Sequence, residues 1–203
     1  MSNISNGINN LNLGVKEMAL YGEREKWSER QPKDTYATFF LTNLSLIKAG
    51  LGASSPLGYV VDTTELVSFI LNPNGSAGRI IRSFVLDLYT PYKAVDEIWK
   101  HKDEWLRRRP AISLQNFIDS LGYYVRVVMV DQDSNEYMLA LQIMKSIDPN
   151  DAEFLALALS MKMPIWTEDP DFKSQNLVSV KTTKDIVNLS SRIPDLWQAL
   201  HSP

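Results

Sequence analysis

The feature that most constrains the fold is an alternation of short apolar runs with helical stripes, which begins near residue 59. Residues 59–61, 88–90, 125–130, 164–167 and 177–181 are short segments with β-branched or aromatic residues. Between them, apolar residues recur with the spacing of one helix face. Strands that alternate with helices pair in parallel, because each connection must cross the sheet. We therefore predict an α/β fold, a three-layer α/β/α sandwich with a mainly parallel central sheet.

The segment that precedes this alternation has a different character. Residues 1–13 are polar and rich in Asn, residues 15–21 favour a short helix, and residues 35–47 are typical of a strand or hairpin. Glycine, serine and proline then cluster over residues 50–58 and mark a boundary. We predict an N-terminal extension over residues 1–56 and one α/β domain over residues 57–203.

Composition excludes several kinds of active site. The chain has no cysteine and only two histidines, so thiolate sites and histidine-rich zinc sites have nothing to use. The formal net charge of -3 argues against a protein that coats nucleic acid with its whole surface, although a local basic groove is compatible with it. No targeting segment and no membrane-spanning run is visible, so we expect a cytoplasmic protein.

Acidic residues stand where predicted strands end or where predicted helices begin. Asp62 and Asp169 each follow a strand, and Asp171 lies in the acidic turn after Asp169. Asp151 begins an apolar helix, and Glu97 lies on the polar side of another. Because parallel strands end at one edge of the sheet, we expect Asp62 and Asp169 to meet there. Such a cluster of carboxylates is the donor set that Mg²⁺ or Mn²⁺ prefers.

Each of these acids also has an ordinary structural explanation. Asp62 and Asp148 are good N-caps, and Glu97 near a helix start complements the helix dipole. The acids around Pro170 suit a turn. Their conjunction at one edge favours a cation site, because unpaired like charges repel one another. Removing one charge, as in Asp62→Asn, is therefore expected to leave the metal-free protein equally stable or more stable.

The order of these motifs resembles the PIN-domain family of metal-dependent nucleases. The motifs are Val-Val-Asp-Thr-Thr at 60–64, Val-Asp-Glu-Ile at 95–98, Asp-Pro-Asn-Asp-Ala at 148–152, Ile-Trp-Thr-Glu-Asp-Pro-Asp-Phe at 165–172 and Val-Lys-Thr-Thr at 180–183. The resemblance covers residues 59–189, about two thirds of the chain. It implies a catalytic and metal-binding centre made of Asp62, Glu97, Asp151 and Asp169, with Asp171 as a further metal ligand.

The activity that the resemblance implies is hydrolysis of RNA phosphodiester bonds with Mg²⁺ or Mn²⁺. Two such ions, roughly 3.5–4 Å apart, can activate water and stabilise the leaving oxygen. Thr63 and Thr167 would position water or a metal ligand. A basic run after Glu97 would bind phosphates, although runs of this kind are more often a solvated helix face. That run consists of Lys100, Lys102, Arg107, Arg108 and Arg109, and all of these except Lys102 are the predicted phosphate contacts.

Other readings of the sequence remain open. The chain would be a restrained toxin, or a binding module with a degenerate metal site, if an antitoxin protein filled the acidic groove. A phosphatase with Asp62 as nucleophile is disfavoured, because the partner aspartate two residues later is replaced by Thr64. The many tryptophans and tyrosines, which are enriched in interfaces, lead us to expect a homodimer.

Overall fold

The computed structural model describes residues 58–110 and 113–201, so the predicted N-terminal helix and strand lie outside the described residues. The elements in chain order are β1 (Gly58–Val61), α1 (Thr63–Leu71), α2 (Ser76–Arg82), β2 (Asp87–Pro91), α3 (Tyr92–Lys100), α4 (Lys102–Arg108), α5 (Leu114–Leu121), β3 (Arg126–Val128), α6 (Asn135–Met144), a 3₁₀ turn (Pro149–Asp151), α7 (Ala152–Met161), β4 (Ile165–Trp166), a second 3₁₀ turn (Pro170–Ser174), β5 (Val180–Lys181), α8 (Thr183–Ser190) and α9 (Pro194–His201).

The five strands form one parallel sheet in the order β3-β2-β1-β4-β5, with helices on both faces. This confirms the predicted α/β/α architecture. In the register of the sheet, Val60 lies opposite both Tyr89 and Ile165, and Val61 lies opposite Trp166. The side chains of Val60, Val61, Ile165 and Trp166 are fully buried. The order places β1 in the centre, so whatever follows β1 is flanked by the ends of β2 and β4.

Helix α7 is the most deeply buried helix for a reason visible in its sequence. Its residues Ala152–Met161 are apolar nearly all round, and six of them are buried. It ends at Lys162, whose backbone takes the left-handed conformation with φ 54° and closes the helix. Burying a helix of this kind holds its N-cap residue, Asp151, firmly at one end of the sheet.

Two predicted helices end earlier than their apolar spacing indicated. The stripe from Ala77 continues in sequence through Val85, but α2 ends at Arg82. Phe84 has φ 55°, a left-handed conformation that no helix continues through, and its ring stacks on Tyr124. The helix therefore ends before its apolar spacing does, because packing of the Phe84 ring overrides the periodicity.

The helical segment after β2 is also interrupted, between α3 and α4. His101 ends α3 and precedes α4, with φ -98° and ψ 16°. Further along the chain, Thr182 rather than Thr183 caps α8, in a reciprocal capping box with Asp185. None of the helices in the described part of the chain is long and apolar enough to cross a membrane.

Candidate functional site

Asp62 occupies the centre of the sheet edge, directly after β1. It caps α1, and its Oδ1 accepts a hydrogen bond of 2.7 Å from the backbone N–H of Thr63. Its Oδ2 accepts bonds of 2.7 Å from the hydroxyls of Thr64 and Thr167. Burial raises the pKa of Asp62, and the hydrogen bonds from Thr167 and Thr64 oppose that rise. The carboxylate is thus both a structural cap and a fixed, buried oxygen donor.

Thr167 joins the ends of two neighbouring strands. Its hydroxyl donates to Asp62 and accepts a bond of 2.9 Å from the backbone N–H of Asp169. Its side chain is completely buried. Because one hydroxyl ties the residue after β1 to the turn after β4, Asp62 and Asp169 are held on the same edge. The two acids meet there as the parallel topology predicted.

Glu97 reaches the same region from helix α3. Its Oε2 accepts a bond of 2.5 Å from the Thr63 hydroxyl, and its Oε1 lies 3.9 Å from the ammonium of Lys93, one turn earlier. Burial raises the pKa of Glu97, while the Thr63 bond and the charge of Lys93 act in the opposite direction. Thr63 therefore orients the carboxylate of Glu97, one of the predicted metal ligands.

Asp151 is the most electrostatically crowded of the four acids. Its pKa is raised to about 7, first by burial and then by the charges of Asp62, Asp148, Asp169 and Glu97. Because the charges of four carboxylates raise the pKa of Asp151, all four lie close enough to it for electrostatic repulsion. An acid in such surroundings holds a full charge at neutral pH only when a cation is near.

These acids open into one cleft of about 470 Å³. All four predicted centre residues line it, together with Thr63. Thr167 is buried behind Asp62, and the exposed Asp171 does not line the cleft but donates its backbone N–H to Asp169. The other residues that line the cleft are Thr64, Val67, Lys93, Asp96, Lys100, His101, Trp105, Arg108, Asp148 and Asn150.

The predicted basic run is divided by the structure into residues with different positions. Lys100 and Arg108 line the cleft, and Arg107 is exposed but does not. Arg109 turns to helix α1, where its guanidinium donates to the carbonyl oxygens of Ile70 and Leu71. Those carbonyls belong to the last turn of α1, so Arg109 satisfies a helix end. The structure therefore places Lys100 and Arg108 with the acids, and Arg109 away from them.

The residues present fit a divalent cation. The donors are carboxylate oxygens supported by threonine hydroxyls, the hard ligands that Mg²⁺ and Mn²⁺ take. Within residues 58–110 and 113–201, no three acid or imidazole side chains already stand as a group that could hold an ion. Asp62, Glu97, Asp151 and Asp169 would hold the ion.

Some cleft residues had no place in the sequence prediction of the site. Lys93 pairs with Glu97 across one helical turn, a spacing that is readable in the sequence. Asp148 accepts bonds from the backbone and side chain of Asn150, and this Asx turn sets the first turn before α7. Thr64 donates to Asp62, whereas from the sequence it was significant only as the residue that replaces the partner aspartate of a phosphatase.

The comparison with known families agrees with this geometry. The family model described as the PIN domain matches residues 60–190, which is more than half of the chain. No curated protein and no solved structure matches the chain. PIN domains are usually nucleases and generally use divalent metals. The matched range includes all four acids, the cleft and the sheet from the second half of β1 to β5, and the chain belongs to the PIN domain family.

Proposed function

We propose that this protein is a ribonuclease that hydrolyses RNA phosphodiester bonds with the help of Mg²⁺ or Mn²⁺. The single observation that carries the proposal is the crowding around Asp151, where five acids from four segments of the chain share one cleft. A site built only for stability would not gather unpaired charge in this way, because burying it costs free energy. A site built for a cation gains that free energy back on binding.

The chain's own residues have distinct roles in this proposal. Asp62, Glu97, Asp151 and Asp169 bind the cation through their oxygens. Thr167 and Thr63 hold two of these carboxylates in place by hydrogen bonds. The bound cation supplies Lewis acidity for the phosphate and a water of lowered pKa. Lys100 and Arg108 line the same cleft, and their charges favour the phosphates on either side of the one that is cut.

The test uses the full chain and a labelled single-stranded RNA. We expect cleavage with Mg²⁺ or Mn²⁺ and none after chelation. We also expect either ion to raise the melting temperature, since a ligand that binds only the folded state stabilises it. A single-stranded DNA of the same sequence reports whether hydrolysis is confined to RNA.

A matched pair of variants tests whether cleavage depends on the proposed metal ligands or on acidic residues in general. Asp151→Asn removes one of the proposed ligands, and Glu153→Gln removes an acid two residues later that bonds to Gln132 and does not line the cleft. The first variant should lose both cleavage and the metal-induced rise in melting temperature, and the second should keep both. Equal activity in the two variants would reject the proposed centre.

A further inference from the structure

The cleft that contains the acids has a second stretch of lining with a different chemistry. It comes from the end of α3 and from α4, and it consists of Lys100, His101, Trp105 and Arg108. Carboxylates repel a polyanion, whereas this stretch offers two permanent cations and two aromatic rings. A nucleic-acid strand that reaches the acids is therefore attracted on this side.

The break in the helix at His101 brings three of these residues onto one face. His101, Trp105 and Arg108 follow one another at intervals of four and three residues, which is the spacing of neighbours on a helix. The backbone N–H of Trp105 bonds to the carbonyl of His101, so this turn is helical. The His101 and Trp105 rings lie 6.3 Å apart, and the Arg108 guanidinium lies 5.7 Å from the Trp105 ring.

The side chains around Trp105 are able to make room for a ligand. His101 and Arg108 are exposed, and the ion pair of Arg108 with Glu104 is long, at 3.9 Å. Exposed pairs of this kind hold a side chain only weakly. A flat group can therefore enter beside Trp105 while Arg108 keeps its charge close to the cleft.

Resting on the proposed function, we propose that Trp105, with His101 and Arg108 beside it, forms a base-stacking subsite that makes the cleft selective for single-stranded RNA. An aromatic ring and a guanidinium plane offer stacking surfaces to any unpaired base. Paired bases are stacked inside the duplex and cannot present a face to Trp105. Lys100 and Arg108 contact the phosphates that flank the stacked base.

Two neighbouring residues serve as matched controls. Trp99 is a half-buried tryptophan six residues before Trp105, and it does not line the cleft. The Lys102 ammonium lies 5.1 Å from its ring. Arg107 precedes Arg108 on the same helix and is exposed, but it lies outside the cleft lining. If general aromatic or basic character determined RNA binding, substitution of Trp99 would weaken it as much as substitution of Trp105. Substitution of Arg107 would likewise weaken it as much as substitution of Arg108.

The experiment measures binding of a short fluorescein-labelled oligouridylate, single-stranded or annealed to oligoadenylate, with Ca²⁺ as the only divalent ion. We expect Trp105→Leu to weaken single-strand binding about tenfold and Trp105→Phe to restore most of it. Trp99→Leu should have little effect. Arg108→Ala should reduce the salt slope by about one, and Arg107→Ala should not. The wild type should bind the duplex about tenfold more weakly than the single strand.

Hydrolysis of bis(p-nitrophenyl) phosphate, which carries no base, tests the metal centre separately. We expect Trp99→Leu to keep wild-type activity on it, and Trp105→Leu to raise KM for RNA with little change in kcat. Equal effects of Trp105→Leu and Trp99→Leu, or equal affinity for single strand and duplex, would overturn the subsite. If the wild type hydrolyses neither substrate while Trp105→Leu still weakens single-strand binding, the proposed function fails and the subsite stands.

Discussion

Two buried carboxylates near the start of helix α1, Asp62 and Glu65, have opposite surroundings. Asp62 is 5% exposed, accepts bonds from three donors and lines the cleft. Glu65 is 1% exposed, accepts a bond of 2.9 Å from the Thr183 hydroxyl and does not line the cleft. Its Oε1 has no hydrogen-bond partner among the described residues.

The partners of Glu65 identify its role as structural. The Thr183 hydroxyl that donates to Glu65 accepts a bond of 3.0 Å from the Trp166 indole, and the Thr183 N–H bonds to Glu168. This cluster joins α1, β4 and α8. Access to the cleft, rather than burial or acidity, therefore distinguishes a candidate ligand from an acid that holds helices together.

The largest expected difference between the two acids is in catalysis. Asp62→Asn should lower the rate of RNA cleavage more than about a hundredfold, because even the loss of a group that only orients a metal ligand costs roughly 10–100-fold. Glu65→Gln should leave cleavage within a few fold of wild type. The measurement is the rate of RNA cleavage with saturating Mg²⁺. A loss in Glu65→Gln as large as in Asp62→Asn would remove the distinction drawn between them.

Within the acidic centre, Asp62 and Asp151 are expected to differ in what they contribute to stability. Asn at position 62 cannot accept all three bonds, so Asp62→Asn should lower the free energy of unfolding by about 1–3 kcal/mol. Asp151, whose pKa is raised by burial and by neighbouring acids, gains from losing its charge. Asp151→Asn in metal-free buffer should therefore be as stable as the wild type or more stable, as urea unfolding would show.

The sequence alone leads to a different expectation for Asp62→Asn, and urea unfolding of that variant decides between the two. The sequence led us to expect that Asp62→Asn costs no stability, since it placed the acids together without their hydrogen-bond donors. The parallel sheet was readable from the alternation of strands and helices, and with it the meeting of Asp62 and Asp169. The bond from Thr167 to Asp62 joins residues 105 positions apart, and no local pattern reports it.

The basic run shows even more clearly what the sequence alone could not predict. Nothing in the spacing of Arg107, Arg108 and Arg109 tells which one faces the cleft, because that depends on the break at His101. The contact of Arg109 with the end of α1 spans 39 residues and is likewise invisible in sequence. The extension over residues 1–56, the homodimer and an antitoxin partner stay predictions.

The dependence of stability on pH tests the environment of Glu65. Burial, with the charges of Glu168 and Asp62, raises the pKa of Glu65 from 4.5 to about 7. The folded state then holds a proton that the unfolded state releases, so stability falls as pH rises from about 4.5 to about 7 and is constant above that range. The part of this loss that is due to Glu65 should be about 3 kcal/mol, since one pKa unit corresponds to about 1.4 kcal/mol, and this part should be missing in Glu65→Gln. Parallel pH profiles for the two proteins, from urea unfolding, would contradict the assignment.

The smallest expected effect separates two neighbouring arginines that the sequence could not tell apart. Arg109 donates to the carbonyls of Ile70 and Leu71, which no residue of α1 itself can satisfy because the helix ends there. Arg109→Ala should lower the free energy of unfolding by about 1–2 kcal/mol, the contribution of a charged hydrogen bond that is partly buried. Arg107→Ala, an exposed change on the preceding residue, should alter it by less than about 0.5 kcal/mol.

Both arginine variants should keep wild-type affinity for single-stranded RNA in buffer without urea, where they are folded. If Arg109→Ala weakened RNA binding without lowering stability, Arg109 would belong with Lys100 and Arg108 as a phosphate contact. The bonds to α1 would then be incidental to its role. Equal loss of stability in the two variants would instead show that the end of α1 does not depend on Arg109.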